Sequence, residues 1–346
     1  MRPDDLGADE HGGDLAAHPG TRLDFSVSLN PLGMPAEVRA ALAAAIDETS
    51  AYPDPQCRVL RQALAAHHGV PAGRIVCGNG ASDLIYRIGC ALHPRLVLEP
   101  APTFTEYERS CGAPVVRYPL DARANFDLDD GFLDAMDGVD LVFCCQPNNP
   151  TGRLIDPGLL GCVVQRAAQT GAVLVVDECF LPFTDAASSI SRTDKYQNLI
   201  VLRAFTKTHA LAGVRLGYAV TGEVEMARAI ADAGPRWNVS TLAQAAGLAA
   251  LGVTNWDEAT RRVVSQERGW VSAQLAALGL GVTPSQANFI LFRSPVDLFQ
   301  PLLARGILLR HCGNFPGLDD TYWRVGLRCH ADNAVLIDAL REVLHG

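Results

Sequence analysis

Asn198-Leu199-Ile200-Val201-Leu202-Arg203-Ala204-Phe205-Thr206-Lys207 carries the chain from an apolar run into a lysine. The Leu, Ile and Val of residues 198–202 suit a strand buried on both faces, as in parallel sheets covered by helices. Runs of the same kind recur at 74–77, 95–98, 139–144, 172–176 and 217–220, bounded by Gly, Pro, Asp or Asn. Helical patterns fall between them, at 82–92, 104–111, 158–169 and 223–232. This alternation predicts an α/β fold with a large, doubly wound, mostly parallel sheet.

Working outward, an Ala-rich helix is expected at 38–49 and another at 56–67, separated by Tyr52-Pro53-Asp54-Pro55. Residues 241–278 read as one or two long helices. Strands at 287–293 and 322–327 and a helix at 332–344 close the chain. The expected division is an N-terminal arm over 1–35 packing on a small domain, a large domain over 36–240, and the small C-terminal α+β domain over 241–346.

Composition narrows the function. The 346 residues are 48% hydrophobic, enough for a large core and against general disorder. With 29 Lys+Arg and 38 Asp+Glu, the net charge is −9, which argues against a nucleic-acid partner. No run of 18 apolar residues exists, so no membrane span is expected. Met1 to Glu10 are acidic and polar, unlike a leader peptide. Ten cysteines without a C-x-x-C pair suit free thiols and a cytoplasmic location. His67, His68 and His93 lack metal-like spacing, so no metal site is expected.

Ligands of an open parallel sheet bind beyond the carboxyl ends of its strands. Five segments sit there. Gly78-Asn79-Gly80-Ala81-Ser82 offers a sharp turn, a cap at Ser82 and free amides for a phosphate; an ordinary loop-to-helix junction looks the same. Pro100-Ala101-Pro102-Thr103-Phe104 brings an aromatic that either stacks on a flat ring or fills the core. Gln146-Pro147-Asn148-Asn149-Pro150-Thr151-Gly152 is a constrained loop with two amides, fit for a ligand or for a turn alone. Asp177 follows Leu174-Val175-Val176 and needs a positive partner, either a protonated pyridine nitrogen or a structural cation. Lys207 lies among small and apolar residues, with Arg215 eight positions on. Burial and a nearby cation lower a lysine pKa and free its amine for Schiff-base chemistry.

In that order the segments resemble the fold-type I pyridoxal-phosphate enzymes, the class I/II aminotransferase superfamily, over nearly the whole chain. The resemblance implies pyridoxal 5'-phosphate as cofactor, with Lys207 holding its aldehyde and Asp177 pairing with its ring nitrogen. It implies Asn149 at the ring oxygen and Phe104 stacked on the ring. Gly80, Ala81, Ser82, Thr206 and Arg215 would surround the phosphate. Tyr52 matches a tyrosine that reaches the neighbouring subunit's phosphate, which implies a homodimer. Arg324 matches the arginine that grips a substrate carboxylate. Two positions depart from the pattern. Ala204 stands where many relatives have Ser or Thr, and Phe180 where many have Tyr.

Three further segments set the expected reaction: His11-Gly12-Gly13-Asp14, Ser28-Leu29-Asn30-Pro31-Leu32-Gly33, and the run from Arg310 to Asp319. With them the chain is similar to the threonine-phosphate decarboxylases of cobalamin biosynthesis, although Asp14 stands where Asn is common. That resemblance implies a small phosphorylated amino-acid substrate, O-phospho-L-threonine, converted to (R)-1-aminopropan-2-ol phosphate. His11, Gly12, Asn30, Asn149, Arg310 and Arg324 would contact it. The competing readings are a histidinol-phosphate aminotransferase, a phosphoserine decarboxylase and a non-catalytic cofactor-binding regulator. No basic recognition helix in the first 40 residues supports the last.

Overall fold

The computed structural model describes residues 11–345. Seven strands build the main sheet: Ile75–Gly78 (β1), Val97–Ala101 (β2), Val115–Pro119 (β3), Leu141–Cys145 (β4), Val173–Asp177 (β5), Leu199–Ala204 (β6) and Gly217–Thr221 (β7). They lie in the order β1-β7-β6-β5-β4-β2-β3, and β7 alone runs against its neighbours. Strand β3 is absent from the sequence-based expectation. It sits at the sheet edge, where Val116 and Arg117 face water, so it lacks a continuous apolar run.

Strand β5 shows why the centre of the sheet forms. Alternation sends Leu174 and Val176 to one face, against Val142, Cys144 and Val201. Val175 goes to the other face, against Phe143 and Ile200. Each such side chain contributes roughly 1.5–3 kcal/mol on burial. The neighbouring helix Pro157–Thr170 starts on Asp156, whose carboxylate accepts the amides of Gly158 (2.8 Å) and Leu159 (3.0 Å). It stops at Gly171 in the left-handed conformation, φ +78°. Ser82, by contrast, does not cap the helix Ala81–Leu92 as expected. Gly80 occupies the cap position, and the Asp83 carboxylate accepts the Asn79 amide at 2.9 Å instead.

The segment 241–278 forms two helices, Thr241–Leu251 and Trp256–Ala277. The first presses Ala243, Ala246 and Ala250 into the larger core. Only the second feeds the smaller core, through Val264, Val271 and Leu275. Residues of the larger core therefore continue past the expected boundary at 240, to Leu251 and Val253, because an alanine face lets the first helix lie flush on it. The smaller sheet comprises Gly281–Val282 (β8), Phe289–Arg293 (β9), Arg310–His311 (β10) and Tyr322–Gly326 (β11), all antiparallel in the order β10-β11-β9-β8. The arm joins this side of the molecule. Leu23–Asp24 pairs in parallel with Ile307–Leu308, and Phe25 is fully buried in the smaller core. The first ten residues of the expected arm lie outside the described residues.

All ten cysteines are free thiols. Among the described residues no helix is long and apolar enough to cross a membrane, and no group of side chains is arranged to hold a metal.

Phe143 is fully buried at the centre of the sheet and stacks on Tyr107 at 4.6 Å. Phe143→Ala is expected to destabilise the protein by about 3–5 kcal/mol. Urea unfolding would show this as a lowered midpoint at an unchanged slope.

Candidate active site

Strand β6 ends in a single helical turn, Phe205–Thr208, and Lys207 projects from it. The Asn30 amide donates to the Lys207 carbonyl at 3.0 Å and fixes the turn. The lysine is half-buried, with its amine 5.8 Å from the centre of the Phe180 ring. Burial lowers its pKa to about 8, and Arg324 and Arg215 push the same way. Only one other lysine, the exposed Lys195, exists in the chain.

Asp177 ends β5 and is buried. Its Oδ2 accepts the Tyr107 hydroxyl at 2.8 Å, and its Oδ1 accepts the Cys179 amide at 2.9 Å. Burial holds the Tyr107 phenol well above its ordinary value, so it stays a donor. Among the described residues no cation lies within ion-pair distance of Asp177. A carboxylate buried in this way is costly unless a positive group completes it.

Arg215 lines the same space as these two groups. Gly80 has φ +86°, and a Cβ on it would sit 2.6 Å from Arg215 Nη2, so the guanidinium comes in over a backbone that has no room for a side chain. Arg215 itself takes a left-handed conformation, φ +61°, at a cost of roughly 1–2 kcal/mol. Ala81 and Ser82 open the helix Ala81–Leu92 beside it, and Thr206 closes the far wall. The helix start adds amide donors and the positive end of its dipole.

The smaller sheet supplies two arginines. Arg310 on β10 stands directly across from Arg324 on β11, and both are buried. Arg324 donates to Asn149 Oδ1 and, at 2.8 Å, to the Ser26 carbonyl, while its Nε is buried with no partner. Burial pulls its pKa down to about 10. Arg310 donates to Asn314 Oδ1 at 2.8 Å and to the His311 carbonyl at 2.7 Å. The arm roofs the space. His11 Nε2 lies 2.8 Å from Glu106 Oε1, and its ring sits 6.0 Å from that of Phe104. Gly12 passes so close to the Ser26 carbonyl that a side chain there would collide with it.

One cavity of about 370 Å³ collects these groups. Of the residues expected from the sequence, it brings together Lys207, Asp177, Ala81, Ser82, Phe104 and Thr206, then Arg215, Asn149, Arg310, Arg324, His11 and Gly12. Three stand apart. Gly80 lies behind Arg215. Tyr52 is 83% exposed and packs on Trp237 at 5.2 Å. Asn30, expected to touch substrate, is instead spent on the scaffold. Its Nδ2 donates to the Thr208 carbonyl (2.7 Å) and Thr260 Oγ1 (2.8 Å), and its Oδ1 accepts the Leu32 amide (3.0 Å). Sequence reasoning missed Tyr107, Ser26 and Glu106. Tyr107 was open to discovery as the aromatic one helical turn beyond Phe104. Ser26 acts through its carbonyl, which no side-chain pattern reveals.

The family model for aminotransferase class I and II matches residues 21–342. The chain is 38% identical to threonine-phosphate decarboxylase of Salmonella typhimurium, with 97% of each chain covered. It is 35% identical to a histidinol-phosphate aminotransferase of Symbiobacterium thermophilum, over 91% of this chain and 88% of that one. Its fold superposes on histidinol-phosphate aminotransferase from Sinorhizobium meliloti, solved in complex with pyridoxal-5'-phosphate, with a TM-score of 0.83 at 25% identity. That match covers 92% of this chain and 89% of the other.

The lowered pKa makes the Lys207 amine neutral at lower pH than an ordinary lysine, and only the neutral amine attacks a carbonyl. Reductive labelling with a small aldehyde, read peptide by peptide, is expected to modify Lys207 in the cofactor-free protein with a rate that rises through about pH 8. A rise delayed to the ordinary lysine range, 10.5, would contradict the burial argument.

Proposed function

The chain belongs to the class I and II aminotransferase family, whose enzymes depend on pyridoxal 5'-phosphate, and from that premise we propose that it decarboxylates O-phospho-L-threonine to (R)-1-aminopropan-2-ol phosphate, a step of cobalamin biosynthesis. The residues present fit the cofactor. The cationless carboxylate of Asp177 suits a protonated ring nitrogen, the Gly80–Arg215 cradle suits a phosphate, and Lys207 is an amine poised for an aldehyde. Phe104 would cover the ring, Asn149 would donate to its oxygen, and Ala81, Ser82 and Thr206 would hold the phosphate.

The observation that carries the substrate reading is the Arg310–Arg324 pair. Like charges directly opposite on a sheet repel, and burial removes the water that would screen them. A ligand with two anionic groups turns that repulsion into two attractive contacts. In this reading Arg324 takes the α-carboxylate through its unpartnered Nε, and Arg310 takes the phosphate with His11 and Gly12 closing over it. Held at both ends by Arg324 and Arg310, the substrate would be oriented so that its α-carboxylate is the group positioned to leave. The bound cofactor supplies an electron sink for the pair that carbon dioxide leaves behind. Asp177 would hold the ring nitrogen in its protonated form, with Tyr107 fixing the orientation of the carboxylate. In this reading the exposed Tyr52 would reach the phosphate site of a second copy in a homodimer, and the enzyme would work in the cytoplasm.

Incubating the protein with the cofactor and O-phospho-L-threonine is expected to release carbon dioxide and the amino alcohol phosphate without any keto acid. If only 2-oxoglutarate-dependent transamination of histidinol phosphate appears, the reading falls. Competing phosphoserine in the same assay measures what one methyl group is worth, about 1–3 kcal/mol. Arg310→Ala is expected to lower kcat/KM for phosphothreonine roughly 10- to 100-fold, the loss of a charged hydrogen bond. Tyr107→Phe is expected to lower kcat about tenfold with KM nearly unchanged, because it deletes one hydrogen bond behind the ring.

A further inference from the structure

Among the described residues, one carboxylate besides Asp177 lines the cavity, that of Glu106, and no step of the proposed reaction uses it. A carboxylate on the wall of a pocket that takes anions repels its ligand unless its charge is spent on donors. Glu106 is spent in that way. Its Oε1 lies 2.8 Å from His11 Nε2 and accepts from Arg109 Nη1 at 3.3 Å, while its Oε2 accepts the Tyr86 hydroxyl at 3.0 Å. Burial, with Glu106 beside it, raises the Tyr86 phenol, so Tyr86 remains a donor. Tyr86 belongs to the helix Ala81–Leu92 and Arg109 to the helix Glu106–Cys111. Two donors of the large domain thus aim the carboxylate, and the arm brings the third. A carboxylate only accepts, so His11 Nε2 carries the proton of their bond and the ring is held in one orientation.

The backbone of the arm is pinned separately. The Gly13 amide donates to Ser26 Oγ at 2.8 Å, and Gly13 takes φ +94° where a Cβ would sit 2.9 Å from Val27 Cγ1. Ser26 is also the residue whose carbonyl accepts Arg324. The two glycines therefore set where the arm crosses the cavity, and Glu106 sets where its imidazole stands. We propose that Glu106 is a positioning residue that determines specificity: by fastening His11 over the cavity, it makes the enzyme prefer a phosphorylated amine to the same amine without its phosphate. This rests on the reading in which His11 and Gly12 close over a phosphate. An amine without that group gives His11 nothing to meet, so it binds equally well whether the ring is held or loose.

The test titrates the cofactor-loaded protein with O-phospho-L-threonine and with L-threonine, following the absorbance of the cofactor. Glu106→Gln keeps the shape of the side chain and removes its charge. It is expected to weaken phosphothreonine binding roughly 10- to 100-fold, the loss of a charge-assisted hydrogen bond, and to leave L-threonine binding unchanged. Glu106→Asp is expected to recover part of that loss, and Tyr86→Phe to show a smaller loss in the same direction. In a His11→Ala background, Glu106→Gln is expected to cost nothing more, because the carboxylate acts through the imidazole. The proposal is overturned if both ligands weaken equally, if neither does, or if the His11→Ala and Glu106→Gln losses add. If the native protein does not bind phosphothreonine, the decarboxylase reading has failed instead, and histidinol phosphate against histidinol puts the same comparison to the same variants.

Discussion

A carboxylate without a cation organises this molecule. Asp177 sits at the end of a strand whose preceding residues are buried on both faces. Its two oxygens are met by a phenol and an amide, which orient the charge without cancelling it. A carboxylate taken out of water is costly unless a positive group completes it. In the proposed function a protonated heterocycle would supply the cation, so the end of this strand would be where the main sheet presents its charge to the cofactor.

Apart from Glu106 beside His11, the other charged groups of the cavity carry the opposite sign. Lys207, Arg215, Arg310 and Arg324 converge in a chain whose net charge is −9. Global charge therefore says little about what the site accepts, because a low-dielectric wall lets a few local groups set the potential. The strain is visible in the backbone as well as in the side chains. Arg215 is held left-handed, and Arg310 faces Arg324 across a ladder. Such arrangements persist where a ligand repays them.

Much of this was legible before any coordinates. Six of the seven strands of the main sheet read as apolar runs because they are sealed on both faces, and the lysine, aspartate and glycine turn sit where parallel strands end. What was not legible falls into two kinds. Strand β3 has one wet edge, so its pattern dissolves into a mixed sequence. Residues far apart in sequence also meet without a local signature. His11 meets Glu106 across 95 positions, and the Ser26 carbonyl serves Arg324 through the main chain. Asn30 is expected to touch substrate only because the family resemblance implies it. All of its polar atoms are instead absorbed in holding the lysine turn and its neighbour.

All but two of the chain's 29 basic residues are arginine. A guanidinium stays protonated at any physiological pH and makes a poor nucleophile toward carbonyls. A protein that keeps company with a reactive aldehyde has thereby removed nearly every decoy from its own surface. Among lysine side chains stray adducts have one exposed place to form, at Lys195, and in the proposed function the vitamin's address would be Lys207.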